Sequence, residues 1–248
     1  VSGNIALVAD GAKGVRVIDI SNSNAPREVA SVFSFEYAFD VAIMDNVACV
    51  AAGESGLLIL DIQDPANPIE LSRHDTNGYA YEVEIYGKRA YVADAWEGIA
   101  VVDISNPAQP VQTGRVETSG WSLGLAVTSD TLISANGGMG SDIFELTNPD
   151  QPMLKSTYLK ENSEGDAGAK SVSIVGDTAY IADTINGLRL VDITNLSKPE
   201  QISLYGQLSY ARRLTIKGEY AFVARASGGS MVVVNIADPF QPYQVSKF

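Results

Sequence analysis

The sequence predicts an all-β protein, a six-bladed β-propeller of four-stranded antiparallel blades. The prediction starts from the stretch Ala90 to Val116, which reads as a strand, a glycine-bearing turn, a strand, a double-proline turn and a strand. The same pattern recurs along the whole chain, and no stretch shows sustained helical spacing. Four-strand units that recur every 40–45 residues or so are typical of propeller blades.

The period is read from an acidic or amide residue at the end of the third strand of each unit, here called the anchor. Successive anchors are 42, 42, 42, 47 and 43 residues apart. A glycine precedes each anchor, and a proline turn follows it. The anchors are Asp19, Asp61, Asp103, Glu145, Asp192 and Asn235. This regularity predicts six copies of one structural unit.

Alternation within a unit indicates sheets that are covered on both sides. Ile99 and Val101 share one face of their strand, whereas Ala100 and Val102 share the other. Because successive side chains of a strand point to opposite faces, both faces are apolar here. Blades stacked against two neighbours need this pattern.

The unbroken period predicts a single domain, 1–248, with the six blades closing into a ring. The expected blades are about 1–32, 37–75, 79–117, 121–159, 169–207 and 210–248. The first blade has only three strands, because Val1 to Asn4 align with the turn that follows an inner strand. We expect that residues upstream were removed, or that a neighbouring segment fills the gap.

The sequence of the third strand resembles that of the LVIVD-repeat family, as in Leu57-Leu58-Ile59-Leu60-Asp61 and Leu188-Arg189-Leu190-Val191-Asp192. The resemblance extends over essentially the whole chain. It implies a β-propeller module, often part of a secreted or surface protein of bacteria or archaea, and it implies no particular activity. Extracellular or cell-surface localisation is therefore an expectation from the resemblance, since the chain shows no signal peptide.

Composition narrows the classes of partner. Thirty acidic residues against 17 basic ones give a formal net charge of −13. Phosphate backbones would be repelled, so no nucleic-acid partner is expected. The apolar runs are too short to cross a bilayer, so no direct membrane insertion is expected either. The single cysteine, Cys49, lies in an apolar strand and is expected to be a buried, inert thiol.

The chain's alternating strands place the variable loops at one end of the blades, here called the loop end. It receives the loops between second and third strands and the loops between blades. Function on repeat scaffolds usually lies on such a variable face. The candidate ligand or partner residues predicted there, or near the mouth of a central funnel, are Trp96, Trp121, His74, Tyr37, Tyr79, Tyr81, Tyr210, Arg212, Asp40 and Glu82.

These candidates have a structural alternative. Tyr37, Tyr79, Trp121 and Tyr210 occupy the same repeat position, so they are also suited to act as wedges between blades. Trp96 has no counterpart in the other loops, which favours a partner contact. Aromatic rings with nearby carboxylates predict sugar binding, since rings stack on apolar sugar faces and carboxylates accept hydroxyl hydrogen bonds.

Metal and catalytic sites are weakly indicated. The chain has no Asp-x-Asp-x-Asp loop and no histidine cluster, so no cofactor is expected, although the acidic composition permits a divalent cation such as calcium. Asp40 and Glu82, at matching inner-strand positions, leave a paired-carboxylate hydrolase open. The anchor carboxylates are expected to accept backbone N–H groups of their own turns, as Asx motifs do. The polar insertion Leu159 to Ala169 is either a tolerated loop or a functional one, a lid or a partner contact beside the funnel.

Three functions follow from these observations. The favoured one is a noncatalytic binding or scaffold propeller with a protein or glycan partner on the loop end. The first alternative is a carbohydrate-active or small-molecule enzyme in the funnel, with His74, Tyr81 and Arg212 as its candidates. The second is a structural module of a larger surface-layer assembly.

Overall fold

The computed structural model describes residues 1–33, 37–158, 168–226 and 229–248. Its described residues form 23 β-strands and no α-helix. They make six antiparallel sheets, of which the first has three strands and each of the others four. Strands that follow each other in the chain are neighbours in every sheet. The predicted all-β propeller fold, with an incomplete first blade, is confirmed.

The contacts divide the chain into two compact units, Val1–Glu117 and Thr118–Phe248. The first unit holds blades one to three: β1 (Ile5–Ala9), β2 (Val15–Asp19), β3 (Arg27–Val32); β4 (Asp40–Met44), β5 (Val47–Ala51), β6 (Leu57–Asp61), β7 (Ile69–His74); β8 (Glu82–Tyr86), β9 (Arg89–Ala93), β10 (Ile99–Asp103), β11 (Val111–Val116).

The second unit holds blades four to six. Its strands are β12 (Gly124–Val127), β13 (Thr131–Ala135), β14 (Ser141–Glu145), β15 (Met153–Tyr158); β16 (Ala169–Val175), β17 (Thr178–Asp183), β18 (Gly187–Asp192), β19 (Glu200–Tyr205); β20 (Ala211–Lys217), β21 (Tyr220–Arg225), β22 (Met231–Asn235), β23 (Tyr243–Lys247). In each four-stranded blade we call the strands inner, second, third and outer in chain order; β1, β2 and β3 are the second, third and outer strands of blade one.

The core of each unit lies between successive blades, as the two-sided apolar pattern predicts. On β5, Ala48 and Val50 pack toward blade one, whereas Cys49 and Ala51 pack toward blade three. The second unit repeats this arrangement between blades four and five and between blades five and six. Burial raises the pKa of the Cys49 thiol to about 12, so the thiolate does not form at physiological pH.

The anchor residues cap the turns that follow them. The Oδ1 atoms of Asp19, Asp61, Asp103 and Asp192 each accept a hydrogen bond, 2.8–2.9 Å long, from the backbone N–H two residues further on. Asn235 does the same with Ala237 at 3.0 Å. The predicted turn-capping role of these four aspartates is confirmed.

Two features shared by the blades were not predicted. Every outer strand carries a β-bulge where it pairs with the third strand. In three blades the serine beside the bulge donates its hydroxyl to a backbone carbonyl in the proline turn of the next blade. These bonds join Ser72 to Pro107, Ser156 to Leu196 and Ser203 to Pro239 at 2.5–2.6 Å. They latch successive blades together at their outer edges.

Candidate functional site

The loop end of the first unit is tied together by two backbone bridges. Gly11 pairs with Ala38 and Gly53 pairs with Ala80, so each second-to-third-strand loop is joined to the segment entering the next inner strand. The bridging N–H groups of both glycines donate at 3.1 Å. Both glycines have a positive φ, 57° and 59°, a conformation that other residues adopt at a cost. The bridges therefore fix where each inner strand begins.

Aromatic residues flank both bridged alanines and meet in one cluster. Tyr37 and Phe39 lie on either side of Ala38, and Tyr79 and Tyr81 on either side of Ala80. The ring centroids of Phe39 lie 4.6 Å from Tyr37, 5.4 Å from Tyr79 and 5.1 Å from Tyr81. Those of Tyr79 and Tyr81 are 5.0 Å apart. We call these four residues the aromatic cluster; their spacing is that of favourable aromatic pairs.

The cluster is partly open to solvent and closely seated on the bridging glycines. Tyr37 is 48% exposed, and the other three rings are half-buried. A Cβ added to Gly11 would lie 2.6 Å from Cζ of Tyr37, and one added to Gly53 would lie 3.2 Å from Cζ of Tyr79. Each tyrosine ring thus packs directly over its glycine, where an added side chain would meet the ring. The wedge role of these tyrosines and an exposed binding surface are compatible in this geometry.

The neighbouring carboxylates are less available than the sequence pattern indicated. Oδ2 of Asp40 accepts the backbone N–H of Val83 at 3.1 Å, which joins the inner strands of blades two and three. Ser171 makes the equivalent bond to Leu214 at 3.3 Å in the second unit. Glu82 is only 5% exposed. Asp40 therefore has a structural role that explains its place in the repeat.

Most acids at the start of the second-to-third-strand loops are engaged by arginines. Asp10 pairs with Arg16, and Asp183 pairs with Arg189. The fully buried Asp94 accepts hydrogen bonds from the Thr76 hydroxyl at 2.6 Å and from Arg115 at 3.2 Å. Burial raises the pKa of Asp94 above its ordinary value, although both donors act in the opposite direction. These acids therefore stabilise their own loops.

Trp96 lies in the second-to-third-strand loop of blade three and is 57% exposed. It follows Ala95, a buried residue whose φ of 51° lies in the left-handed region. The equivalent positions of three other blades are the glycines Gly11, Gly53 and Gly137. Ala95, which precedes the exposed Trp96, thus adopts a backbone conformation that usually requires glycine.

His74 lies at the end of the outer strand β7, where it pairs with Leu57 of β6. Its Nε2 atom is 3.4 Å from Oε1 of Gln112 on β11, the outer strand of the next blade. Tyr81, by contrast, belongs to the aromatic cluster beside the inner strands. The structure therefore places these two enzyme candidates on opposite edges of their blades.

The remaining candidates belong to the second unit. Trp121 is 56% exposed, and Tyr210 is 47% exposed with a φ of 63°. Both occupy the repeat position of Tyr37, while Arg212 is an exposed residue in β20, at the repeat position of Phe39. Three members of the aromatic cluster, Tyr37, Tyr79 and Tyr81, were predicted as candidates, whereas Phe39 was missed. The available signal was that Phe39 occupies the same repeat position as Tyr81.

Neither a metal-binding group nor a membrane-spanning helix is found in the part of the chain that the structure describes. Within residues 1–33, 37–158, 168–226 and 229–248, no group of three or more His, Cys, Asp or Glu residues is arranged to hold a metal ion. In the same ranges, no helix has the length and apolarity needed to cross a membrane. Residues 159–167 of the predicted insertion lie outside the described residues.

The fold is shared with many solved structures at low sequence identity. A protein from Lactobacillus plantarum is 11% identical with a TM-score of 0.87, over 100% of this chain and 82% of that one. A periplasmic gluconolactonase of Pseudomonas aeruginosa is 10% identical with a TM-score of 0.81, over 98% of this chain and 81% of that one. A chain from a nidogen/laminin complex is 11% identical with a TM-score of 0.69, over 99% of this chain and 93% of that one.

These structures support the propeller fold, and they include both a gluconolactonase and a chain of a protein–protein complex. No curated protein matches the sequence. The family comparison is more specific, since the model of the LVIVD repeat matches residues 1–33, 36–76, 77–118, 165–206 and 209–248. Only the copy that forms most of blade four is unmatched. The chain therefore belongs to the LVIVD repeat family.

Proposed function

We propose that this protein is a binding propeller that recognises a carbohydrate chain through the aromatic cluster at the loop end of its first unit. The observation that carries the proposal is the contact of four aromatic rings from two successive blades, with Tyr37 half exposed. Tyrosines offer a flat apolar face and a hydroxyl, the combination that stacks on a sugar ring while bonding to its hydroxyl groups. The cluster is held by its glycine bridges before any ligand arrives, which lowers the entropic cost of binding.

The surrounding polar groups support a binding role over a catalytic one. Asp40 is engaged by a backbone N–H group, and Asp10 and Asp94 are engaged by arginines. His74 lies on the outer strand of its blade, away from the aromatic cluster on the inner-strand side. Stacking surfaces without an adjacent acid and base pair bind substrates but do not transfer protons.

The test is a glycan array probed with the full chain and with three variants. We expect Tyr37→Ala to weaken binding by about tenfold or more, because one stacked ring contributes on the order of 1 kcal/mol beyond its buried area. Tyr37→Phe keeps the ring and should retain most of the affinity. Tyr243→Ala removes another exposed tyrosine, 58% exposed against 48% for Tyr37, from the outer strand β23 and should have no effect on binding. An array without any bound glycan contradicts the carbohydrate class.

A second function, hydrolysis of a sugar lactone, is favoured by the fold similarity to a periplasmic gluconolactonase. Its test is acid release from a gluconolactone, followed with the full chain and with His74→Ala and Arg212→Ala. Under the binding proposal the chain gives no turnover above the buffer rate. Turnover that is lost in either variant would establish the enzyme instead.

We also propose that the protein acts outside the cytoplasm, at a cell surface or in the extracellular space. The support is the family's frequent occurrence in secreted and surface proteins together with the acidic net charge of −13. Fractionation of the native organism with an antibody against this chain tests it. Recovery of the protein only from the cytosol would refute it.

A further inference from the structure

A small cavity lies between blades four and five, at the loop end of the second unit. Its volume is about 20 Å³, and its walls include Ser141 and Tyr158 of blade four and Ile181, Asp183 and Arg189 of blade five. Arg189 is 3% exposed and Ser141 is 1% exposed. The cavity is therefore bordered by buried polar residues from two neighbouring blades of one compact unit.

Two of these polar residues carry a buried atom without a hydrogen-bond partner among the described residues. Arg189 donates from Nε to Asp183 and from Nη1 to Oε1 of Gln201 at 2.6 Å, but its Nη2 atom has no acceptor. Oγ of Ser141 is also buried and has no partner. Such groups are costly, because each has lost its hydrogen bonds to water on folding and has gained none in return.

Blade one contains the same arginine in a wetter setting. Arg16 occupies the repeat position of Arg189 and binds the equivalent partners, Asp10 through Nε and Glu28 through Nη1. The side chain of Arg16 is 32% exposed, so bulk water can hydrate its guanidinium group. Arg189 makes the corresponding contacts from a buried position. Its hydration therefore depends on the cavity that it borders.

Ser141 interrupts an apolar position of the repeat beside this arginine. Four residues before the anchor, four other blades carry Val15, Leu57, Ile99 and Leu188, and all four side chains are fully buried. Serine is smaller than any of these residues and carries a hydroxyl group. Blade four thus has both more space and a polar group at a position that is filled by apolar atoms in those blades.

We propose that the cavity is a binding site for one internal water molecule, which accepts hydrogen bonds from Arg189 and Ser141 and donates to the carboxylate of Asp183. One water needs about 10–15 Å³, so the cavity has room for a single molecule. The oxygens of Asp183 accept Nε of Arg189 and Nδ2 of Asn186 and keep lone pairs for a further donor. The same carboxylate repels an anion. The bound water joins blade four to blade five.

The first test is a crystal structure of the full chain at a resolution that shows ordered water. We expect one oxygen peak at hydrogen-bond distance, about 2.7–3.2 Å, from both Nη2 of Arg189 and Oγ of Ser141. Soaking the crystals in bromide distinguishes water from an anion, because a bromide ion at this position gives an anomalous peak. A cavity without an oxygen peak, or one with a bromide peak, overturns the proposal.

The second test counts long-lived internal waters in solution by oxygen-17 relaxation dispersion. Ser141→Val gives blade four the residue that blade one has at Val15; the larger side chain fills the cavity, and we expect one internal water fewer than in the unchanged chain. Leu188→Val is the matched control, because it alters an apolar side chain at the same repeat position, where an enlarged space stays dry. Its number of internal waters should not change. An equal number in Ser141→Val and the unchanged chain would refute the site.

Discussion

Asp192 shows how a single residue of the repeat couples stability to pH. Its carboxylate accepts the hydroxyl and the backbone N–H of Thr194 at 2.6 and 2.8 Å. These two bonds lower the pKa of Asp192 from its ordinary value. A carboxyl group whose pKa is lower in the folded state stabilises the protein above the unfolded pKa, about 3.9, and loses this contribution as the pH falls through the folded pKa.

We therefore expect the free energy of unfolding to decrease below about pH 4, and Asp192→Asn to make this decrease shallower. Asparagine keeps the acceptor but does not titrate, and the sixth repeat already uses Asn235 in this way. Urea denaturation at a series of pH values measures the difference. Identical pH profiles of the two proteins would show that the capping bond of Asp192 does not discriminate between protonation states.

Ala95 is a residue of the loop end with a strained backbone. Its φ of 51° costs an L-residue roughly 1–2 kcal/mol, whereas glycine adopts it freely. Ala95→Gly should raise the stability by up to about 1 kcal/mol, since the relief of strain exceeds the added entropy of the unfolded chain. Chemical denaturation measures the change. A loss of stability would mean that the Ala95 methyl group contributes more by packing than its backbone loses by strain.

At the scale of the element, the outer-strand serines hold successive blades together. Ser203→Ala removes a 2.6 Å bond to the Pro239 carbonyl and should destabilise the protein by about 1 kcal/mol. Ser246 occupies the same repeat position in blade six, and the described residues give its hydroxyl no such bond. Ser246→Ala is therefore the matched control and should be close to neutral. Equal losses in both variants would exclude the latch as the cause.

The strands and turns could be predicted because their signals are local. Two-residue alternation, a glycine before each third strand and prolines after each anchor each depend on neighbouring residues only, and all six blades were found from them. The capping role of the anchors followed for the same reason. The serine latches depend instead on residues 35–40 positions apart. Nothing in a single repeat reveals such a bond, which explains why it was missed.

Blade four shows where the repeat pattern itself fails. The family model leaves residues 119–164 unmatched. In this blade the buried Asp142 accepts hydrogen bonds from the hydroxyls of Ser119 and Thr157 at 2.6 Å and from the Asn136 amide at 2.7 Å. The same repeat position is the apolar Leu58 or Ala100 in blades two and three. A hydrogen-bonded polar network thus occupies, in blade four, a position that is apolar in blades two and three and arginine, Arg16 or Arg189, in blades one and five.

The candidate site was only partly predictable, because the position of a residue in the repeat does not determine whether its side chain is exposed. Tyr37, Tyr79 and Tyr81 were singled out as aromatic residues at the loop end, and the structure brings them together with Phe39. Asp40 was singled out on the same grounds, yet it bonds to the Val83 backbone. The sequence shows which residue types recur, but the choice between a structural bond and an open surface depends on three-dimensional contacts.

At the scale of the whole molecule, the polar residues of the repeat mainly form bonds that stabilise the fold. Anchor acids cap turns, loop acids pair with arginines, and Asp40 joins inner strands. These bonds do not account for the aromatic cluster, in which Tyr37 keeps 48% of its surface exposed. Recognition through this cluster is the central claim of the account.

The most direct measurement compares affinity and stability in Tyr37→Ala, using the glycan that the array identifies and calorimetry for both quantities. The account predicts a loss of affinity of about tenfold or more, with only the modest fall in Tm expected from the lost Tyr37–Phe39 contact. The opposite result, a large fall in Tm with unchanged affinity, would contradict it and would show that Tyr37 is only a wedge between blades.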